Sequence, residues 1–272
     1  MLRMERVLRL EGGRNFRDLG GYPAADGRVV GWRRLYRSGV MSHFSDADCN
    51  HLATLGVQVI CDLRATAERQ REVLRWTDPR TQHLHWDYDN SGISLRGLLR
   101  GGDPTAIGMR RAMISVYEGL PDFLAEPYAA LFDQLAAGAV PLVFNCSAGK
   151  DRTGLAAALI LTCLGVPWQH VVADYELTNT LVDLEYEFYT HRESSVGAGD
   201  EFGRYAALPR EVLAPLFQAS PAYLEASFAA MRRACGSVRA YLESRLGVTE
   251  DKVAALRSHL LVAAPASRAA AG

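Results

Sequence analysis

The sequence predicts an α/β fold: a central parallel or mixed sheet with helices on both faces, followed by a helical C-terminal part. Three observations carry that prediction. Short apolar runs of strand length, at 57–63 and 140–144, alternate with longer segments of helical period. Both runs end on polar residues, Asp62 and Asn145-Cys146, and the carboxyl ends of strands are where such sheets bind ligands. No linker, internal repeat or change of composition divides the 272 residues, so one domain over 1–272 is expected.

The elements follow in order. Gly20-Gly21-Tyr22-Pro23 and Asp26-Gly27 are turn signals beside short strands, and 28–37 reads as one of those strands. Ser45 with Asp48 three residues on forms a capping box, Cys49, Leu52 and Leu55 recur at helical spacing, and Gly56 ends that helix. Residues 57–63 read as a buried strand leading into Arg64. Alternation over 82–88 puts Leu84, Trp86 and Tyr88 on one face and His83, His85 and Asp87 on the other. The glycines and proline in 91–119 suggest a loop with short helices. A helix over 126–137 feeds the strand at 140–144, and an apolar helix runs over 155–164. Beyond Pro167 the chain is mostly helical, broken at 194–199, and the Ala-rich tail at 262–272 should fray.

Composition narrows the function. Apolar residues make up 49% and charged residues 22%, values of a globular chain with a full core, and a net charge of −1 gives no reason to expect nucleic acid. The five cysteines are odd in number, irregularly spaced and without CxxC pairs, which argues against a disulfide framework or a zinc site and for a reducing compartment. The first residues do not read as a signal peptide, and 155–166 is too short for a membrane span. A cytoplasmic protein without integral membrane association is expected, secretion by another route being left open. The sequence sets no oligomeric state.

The deciding stretch is Asn145-Cys146-Ser147-Ala148-Gly149-Lys150-Asp151-Arg152-Thr153-Gly154, which lies between a strand and a buried helix. Unpaired amides and the positive end of a helix dipole make such a loop a holder of anions, and the same field favours a thiolate at Cys146. Phosphate fits best. About six successive amides of the loop, those of Ser147, Ala148, Gly149 and Lys150 among them, would converge on its oxygens, Arg152 would clamp two of them, and Cys146 would attack phosphorus in line. Thr153 would donate to the thiolate and ease its departure. A carboxylic acid must protonate the leaving oxygen, and Asp151, Asp62 and Asp87 compete for that role; Asp151 is favoured because it cannot be far from the phosphate. Asp62 could instead hold Arg152 or a loop amide. No cofactor and no metal are called for.

These residues resemble the protein tyrosine phosphatase superfamily, and more closely the bacterial tyrosine and lipid phosphatases with a His-Cys-x-x-Gly-Lys-Asp-Arg-Thr loop. Asn15-Phe16-Arg17-Asp18-Leu19-Gly20-Gly21, Tyr36-Arg37-Ser38-Gly39, Asp62-Leu63-Arg64 and the stretch 241–257 extend the resemblance over nearly the whole chain. It implies a phosphotyrosine phosphatase-like fold, Cys146 as nucleophile, Arg152 as clamp and Asp151 as general acid. The implied substrates are phosphorylated proteins or phosphoinositides. Lys150 would meet a second phosphate or sit as a solvated charge that tunes the thiolate. Asp62 and Arg64 are candidate substrate contacts, and Arg17, Asp18 and Arg64 could line the pocket mouth or pair internally. Asn145 replaces the family's histidine and supplies a hydrogen bond without a positive charge, so the alternative is a catalytically weak phosphate-binding module.

Three secondary signals remain. His83-x-His85-x-Asp87 is similar to a metal-binding cluster but reads better as a polar strand face. Cys61 should neighbour the strand before Cys146, within reach of a reversible disulfide, although a buried apolar cysteine is the plainer reading. Residues 91–119 and 184–217 are candidate helical covers over the site.

Overall fold

The computed structural model describes residues 5–76, 78–89, 103–186, 189 and 208–265. The expected break at 194–199, most of the candidate cover at 184–217, residues 91–102 and the end of the tail lie outside them. Five strands form the main sheet in the order β1-β3-β6-β4-β5: β1 (Arg17–Asp18), β3 (Leu35–Ser38), β6 (Leu142–Asn145), β4 (Val59–Asp62) and β5 (Gln82–His85). The sheet is mixed, since β1 runs antiparallel to β3 while the other pairs are parallel.

The register places Ser38, Asn145 and Asp62 in one row at the carboxyl edge. Side chains alternate across the pleat as a two-faced parallel sheet requires. Tyr36, Ile60 and Val143 face a small cluster with Phe16, Met41, Phe44 and Leu52 from α1 (Asp46–Ala53). Leu35, Val59, Cys61, Leu142 and Phe144 face the larger core. That core is built by α3 (Ala106–Phe123), α4 (Ala125–Ala136), α5 (Asp151–Cys163), α6 (Trp168–Glu176) and the C-terminal helices α8 (Arg210–Phe217), α9 (Pro221–Cys235), α10 (Val238–Leu246) and α11 (Glu250–Leu260). Two short helices, α2 (Thr66–Arg71) and α7 (Thr178–Leu181), flank the carboxyl edge. Both bonds of the Ser45–Asp48 capping box are made at 3.1 Å.

Four boundaries differ from the sequence reading. The run 28–37 is two strands, because β2 (Arg28–Val30) leaves the main sheet and pairs with β7 (Leu261–Ala263). The start of the supposedly frayed tail is therefore a paired strand. Residues 106–123 form one helix rather than a loop with short helices. Thr105 caps it, and Met109, Met113, Val116, Tyr117 and Leu120 bury a stripe whose packing outweighs the helix-weakening glycines at 108 and 119. Finally, α5 begins at Asp151, so the polar loop residues 151–154 are its first turn.

The candidate active site

Helix α5 explains the loop's position. Residues 153–161 are buried on every side of it, so its N-terminus is held deep in the molecule directly after β6. Among the described residues no side chain caps that end. An uncapped, buried helix start is costly unless an anion meets it.

The loop's peptide groups are oriented by their carbonyls. The Ser147 carbonyl accepts from the Val40 amide at 2.7 Å. Asn15 Nδ2 donates to the carbonyls of Ala148 at 3.2 Å and Gly149 at 3.0 Å, and Arg37 donates to the latter at 2.7 Å. Among the described residues the amides of Ser147, Ala148, Gly149 and Lys150 donate to nothing. Every carbonyl of the loop's middle is thus tied behind it, leaving the opposite edge of each peptide as an open donor. Gly149 is required here: its φ is +65°, and a Cβ would lie 2.6 Å from the Gly39 nitrogen.

A buried ionic network stands behind those anchors. Asp174, from the interior of α6, accepts from Arg17 Nε at 3.1 Å and Arg37 at 2.6 Å, and the Tyr22 hydroxyl adds a third donor at 3.2 Å. Arg17 also donates to the Asn15 side-chain oxygen, fixing the amide that holds the loop. Burial would raise the Asp174 pKa, but the charges and hydrogen bonds of the two arginines outweigh it and hold the carboxyl at about 2. Arg17 and Asp18 therefore pair internally and do not line a pocket mouth; Asp18 accepts from the amides of Gly20 and Arg33, both at 2.7 Å.

At the front lie Cys146, Arg152 and Asp151. Cys146 is buried at the foot of the loop, and the buried Thr153 hydroxyl has no partner among the described residues. Arg152 projects from the first turn of α5 and donates to both oxygens of Glu68, at 2.5 and 2.7 Å, and to the Leu63 carbonyl at 3.1 Å. Burial would lower the Arg152 pKa, yet its bonds to Glu68 and the Glu68 charge drive it well above the ordinary value. Asp151 accepts from the Tyr117 hydroxyl at 2.7 Å and lies 3.5 Å from Lys150 Nζ. Tyr117 in turn meets the Tyr175 hydroxyl at 2.6 Å.

The other predicted residues fall into three groups. Asp62 and Arg64 grip each other in a buried fork, at 2.6 to 3.0 Å, and Arg64 donates further to the Glu72 carbonyl. Arg64 is thus engaged in internal pairing and has no surface to offer a substrate. Asp62 also accepts from Asn145 Nδ2 at 3.2 Å, so it shapes the residue before the nucleophile; among the described residues the Asn145 side-chain oxygen has no partner. Lys150 is buried and donates to the Leu216 carbonyl in the last turn of α8, which corrects the reading of a solvated charge. The Ser147 hydroxyl is committed to Glu68 at 2.7 Å, leaving its amide for a ligand.

His83 and His85 are exposed on the edge strand, and Asp87 pairs with Arg69 at 2.5 Å. Among the described residues no group of three or more His, Cys, Asp or Glu side chains could hold a metal ion. Cys61 faces Phe144 across the β4–β6 ladder, and both Cys61 and Cys146 are free thiols. Burial, helped by the Asp62 charge, pushes the Cys61 thiol up to about 12. Asn15, Arg37, Glu68, Tyr117 and Asp174 take part in the site but were given no such role by sequence reasoning. The motifs containing Asn15 and Arg37 carried the resemblance; nothing local marked the other three.

A cysteine and an arginine six positions apart, with open amides between them at a buried helix start, define the class. The chain belongs to the tyrosine phosphatase family, whose model matches residues 8–262. It is 34% identical over 253 residues to a candidate tyrosine-protein phosphatase of Cupriavidus necator, covering 91% of this chain and 85% of that one. A tyrosine-protein phosphatase of Nostoc commune is 29% identical over 262 residues, covering 88% of this chain and 78% of the relative. The triple specificity protein phosphatase PtpB of Mycobacterium tuberculosis is 31% identical over 199 residues, covering 65% and 70%. The protein is accordingly a protein-phosphatase-type phosphoric monoester hydrolase. No helix among the described residues is long and apolar enough to cross a membrane.

Proposed function

We propose that the protein hydrolyses phosphomonoesters on tyrosine, and on further phosphorylated groups including inositol lipids, through a phosphocysteine intermediate. The observation that carries this reading is the set of open amides at Ser147–Lys150 around buried Cys146, with Arg152 and Asp151 on the first turn of the same helix. The Cys146 thiolate attacks phosphorus in line while the phosphorus–oxygen ester bond breaks. Asp151 gives its proton to the departing oxygen, and the alcohol or phenol leaves. Water then attacks the phosphocysteine, with Asp151 taking its proton, and phosphate departs as the thiolate is regenerated. Open amides and Arg152 stabilise the equatorial oxygens in both steps. The relative described as having triple specificity supports a substrate range wider than phosphotyrosine.

Hydrolysis of para-nitrophenyl phosphate, compared with Cys146→Ser, tests the proposal. Loss of the nucleophile should cost on the order of 10⁵-fold in turnover. Equal, negligible rates in both proteins, with inorganic phosphate still raising the melting temperature, would leave only the binding-module reading. A panel of phosphopeptides and phosphoinositides then ranks the substrates.

A further inference from the structure

Asp151 is held by one of its two oxygens. It opens α5, and its Oδ1 accepts from the Tyr117 hydroxyl at 2.7 Å and lies 3.5 Å from Lys150 Nζ. Among the described residues Oδ2 accepts nothing, and the side chain is 30% exposed. Tyr117 comes from the buried stripe of α3 and Tyr175 from α6; their hydroxyls meet at 2.6 Å, and both side chains are enclosed. Counting protons gives this chain a direction. An ionised carboxylate only accepts, so the single Tyr117 proton goes to Asp151 and Tyr175 donates to the Tyr117 oxygen. Burial, and after it the Asp151 charge, raises both tyrosines well above their ordinary value, so the hydroxyls keep their protons. The pair is also fixed by packing. A Cβ on Gly154 would lie 2.9 Å from two carbons of the Tyr175 ring, so this glycine lets the ring cross the first turn of α5. The Tyr117 ring centre lies 5.4 Å from that of Tyr223, and the Tyr117 carbonyl accepts from the Ser227 hydroxyl at 2.5 Å, both partners being on α9.

We propose that Tyr117 and, through it, Tyr175 are positioning residues for proton transfer: they occupy Asp151 Oδ1 and so place the transferable proton on Oδ2, the oxygen left free. This rests on the reading of Asp151 as general acid. A carboxyl proton on Oδ1 would face the Tyr117 proton, which cannot turn away without displacing that of Tyr175. As the Oδ2 proton passes to the ester oxygen, negative charge develops on the carboxyl and the bond at Oδ1 strengthens. The pair is therefore worth more in the transition state than in the resting acid. The competing role is a structural clasp between α3 and α6, indifferent to which ester is cleaved.

Leaving-group dependence separates the two roles. kcat/KM is measured on phenyl phosphate, whose phenol needs a proton to depart, and on dinitrophenyl phosphate, which releases a stable anion. The proteins are wild type, Tyr117→Phe, Tyr175→Phe, Asp151→Asn and the Tyr117→Phe, Asp151→Asn pair, each with a thermal melt. Tyr117→Phe should lower kcat/KM by about 10- to 100-fold on phenyl phosphate and by less than about 3-fold on dinitrophenyl phosphate. Tyr175→Phe, which leaves the Tyr117–Asp151 bond in place, should show a smaller loss with the same substrate selectivity, and it carries the test if Tyr117→Phe folds poorly. On the Asp151→Asn background Tyr117→Phe should cost little further, because the group it acts through is gone. Equal losses on both esters, or an unchanged rate on phenyl phosphate in the folded variants, would leave the clasp and overturn the proposal. A faster Tyr117→Phe would overturn it too, by showing that the tyrosine keeps Asp151 ionised. If Asp151→Asn itself treats the two esters alike, the general-acid reading fails first and takes the positioning role with it.

Discussion

The rear and the front of the loop at 146–152 carry opposite hydrogen-bond balances. Behind it, the carbonyls of Ser147, Ala148 and Gly149 are all taken, by the Val40 amide, Asn15 and Arg37. In front, the amides of Ser147 to Lys150 have no acceptor among the described residues. Both sides contain arginine–carboxylate pairs, but the rear pairs are fully enclosed, whereas Arg152 and Glu68 keep some exposure. The difference teaches how an anion site is made from backbone alone: satisfying one end of each peptide group turns the other end outward and leaves it needing a partner.

Substitutions on the two sides should therefore separate catalysis from stability. The largest effect is expected at the front. Asp151→Asn keeps an oxygen for the Tyr117 hydroxyl but cannot give up a proton, so kcat should fall by about 10²- to 10⁴-fold. The melting free energy should stay within about 1 kcal/mol of wild type. Pre-steady-state release of para-nitrophenol checks the role, since slow leaving-group departure removes the burst. An undiminished rate would move the general acid elsewhere.

At the rear the pattern should invert. Asp174→Asn leaves Arg17 and Arg37 buried without their counter-charge, and breaking such a pair typically costs about 3–5 kcal/mol. Urea unfolding measures that loss. Because Arg37 also holds the Gly149 carbonyl, the folded fraction should bind phosphate less well. A destabilised variant with unchanged phosphate affinity would show that Asn15 alone sets the loop.

The smallest effect is a pH dependence that probes both sides. Glu68 is held at about 2 against an ordinary 4.5: burial would raise it, but the hydrogen bonds and charge of Arg152 prevail. Asp174 is held at about 2 against 3.8. A carboxyl with a depressed folded-state pKa binds its proton more readily when unfolded, so its stabilisation is complete above the unfolded value and drains as pH falls toward the folded one. The urea midpoint should be flat from about pH 7 to 5 on account of these groups and fall between about 4 and 2. The gap between wild type and Glu68→Gln should close over that range; a gap that persists at pH 2 would mean that Glu68 is not held as an anion.

The front of the loop was far more legible in the sequence than the rear. Cys146, the small residues after it and Arg152 stand together in one stretch between two apolar runs, and local spacing is enough to read them. The capping box at Ser45 and Asp48 and the strand ending at Asp62 were legible for the same reason. Asp174 meets Arg17 across 157 positions, and nothing beside it in α6 announces a buried charge. Glu68 sits among Arg69 and Arg71, where a charge run reads as solvated surface. Tyr117 was lost because glycines and a proline lowered the weight of a genuine helical stripe. Long-range pairing of polar groups leaves no periodic trace, whereas burial of apolar ones does.

The burial of α5 on all its flanks has one more consequence. A helix lined with water has its end charges masked by mobile ions, but from Thr153 to Leu161 this one touches only protein. Dissolved salt can reach its positive end through the mouth of the loop alone, so the short-range pull on a seated oxyanion is largely protected from ionic strength, while the slower attraction of distant charged substrates is not.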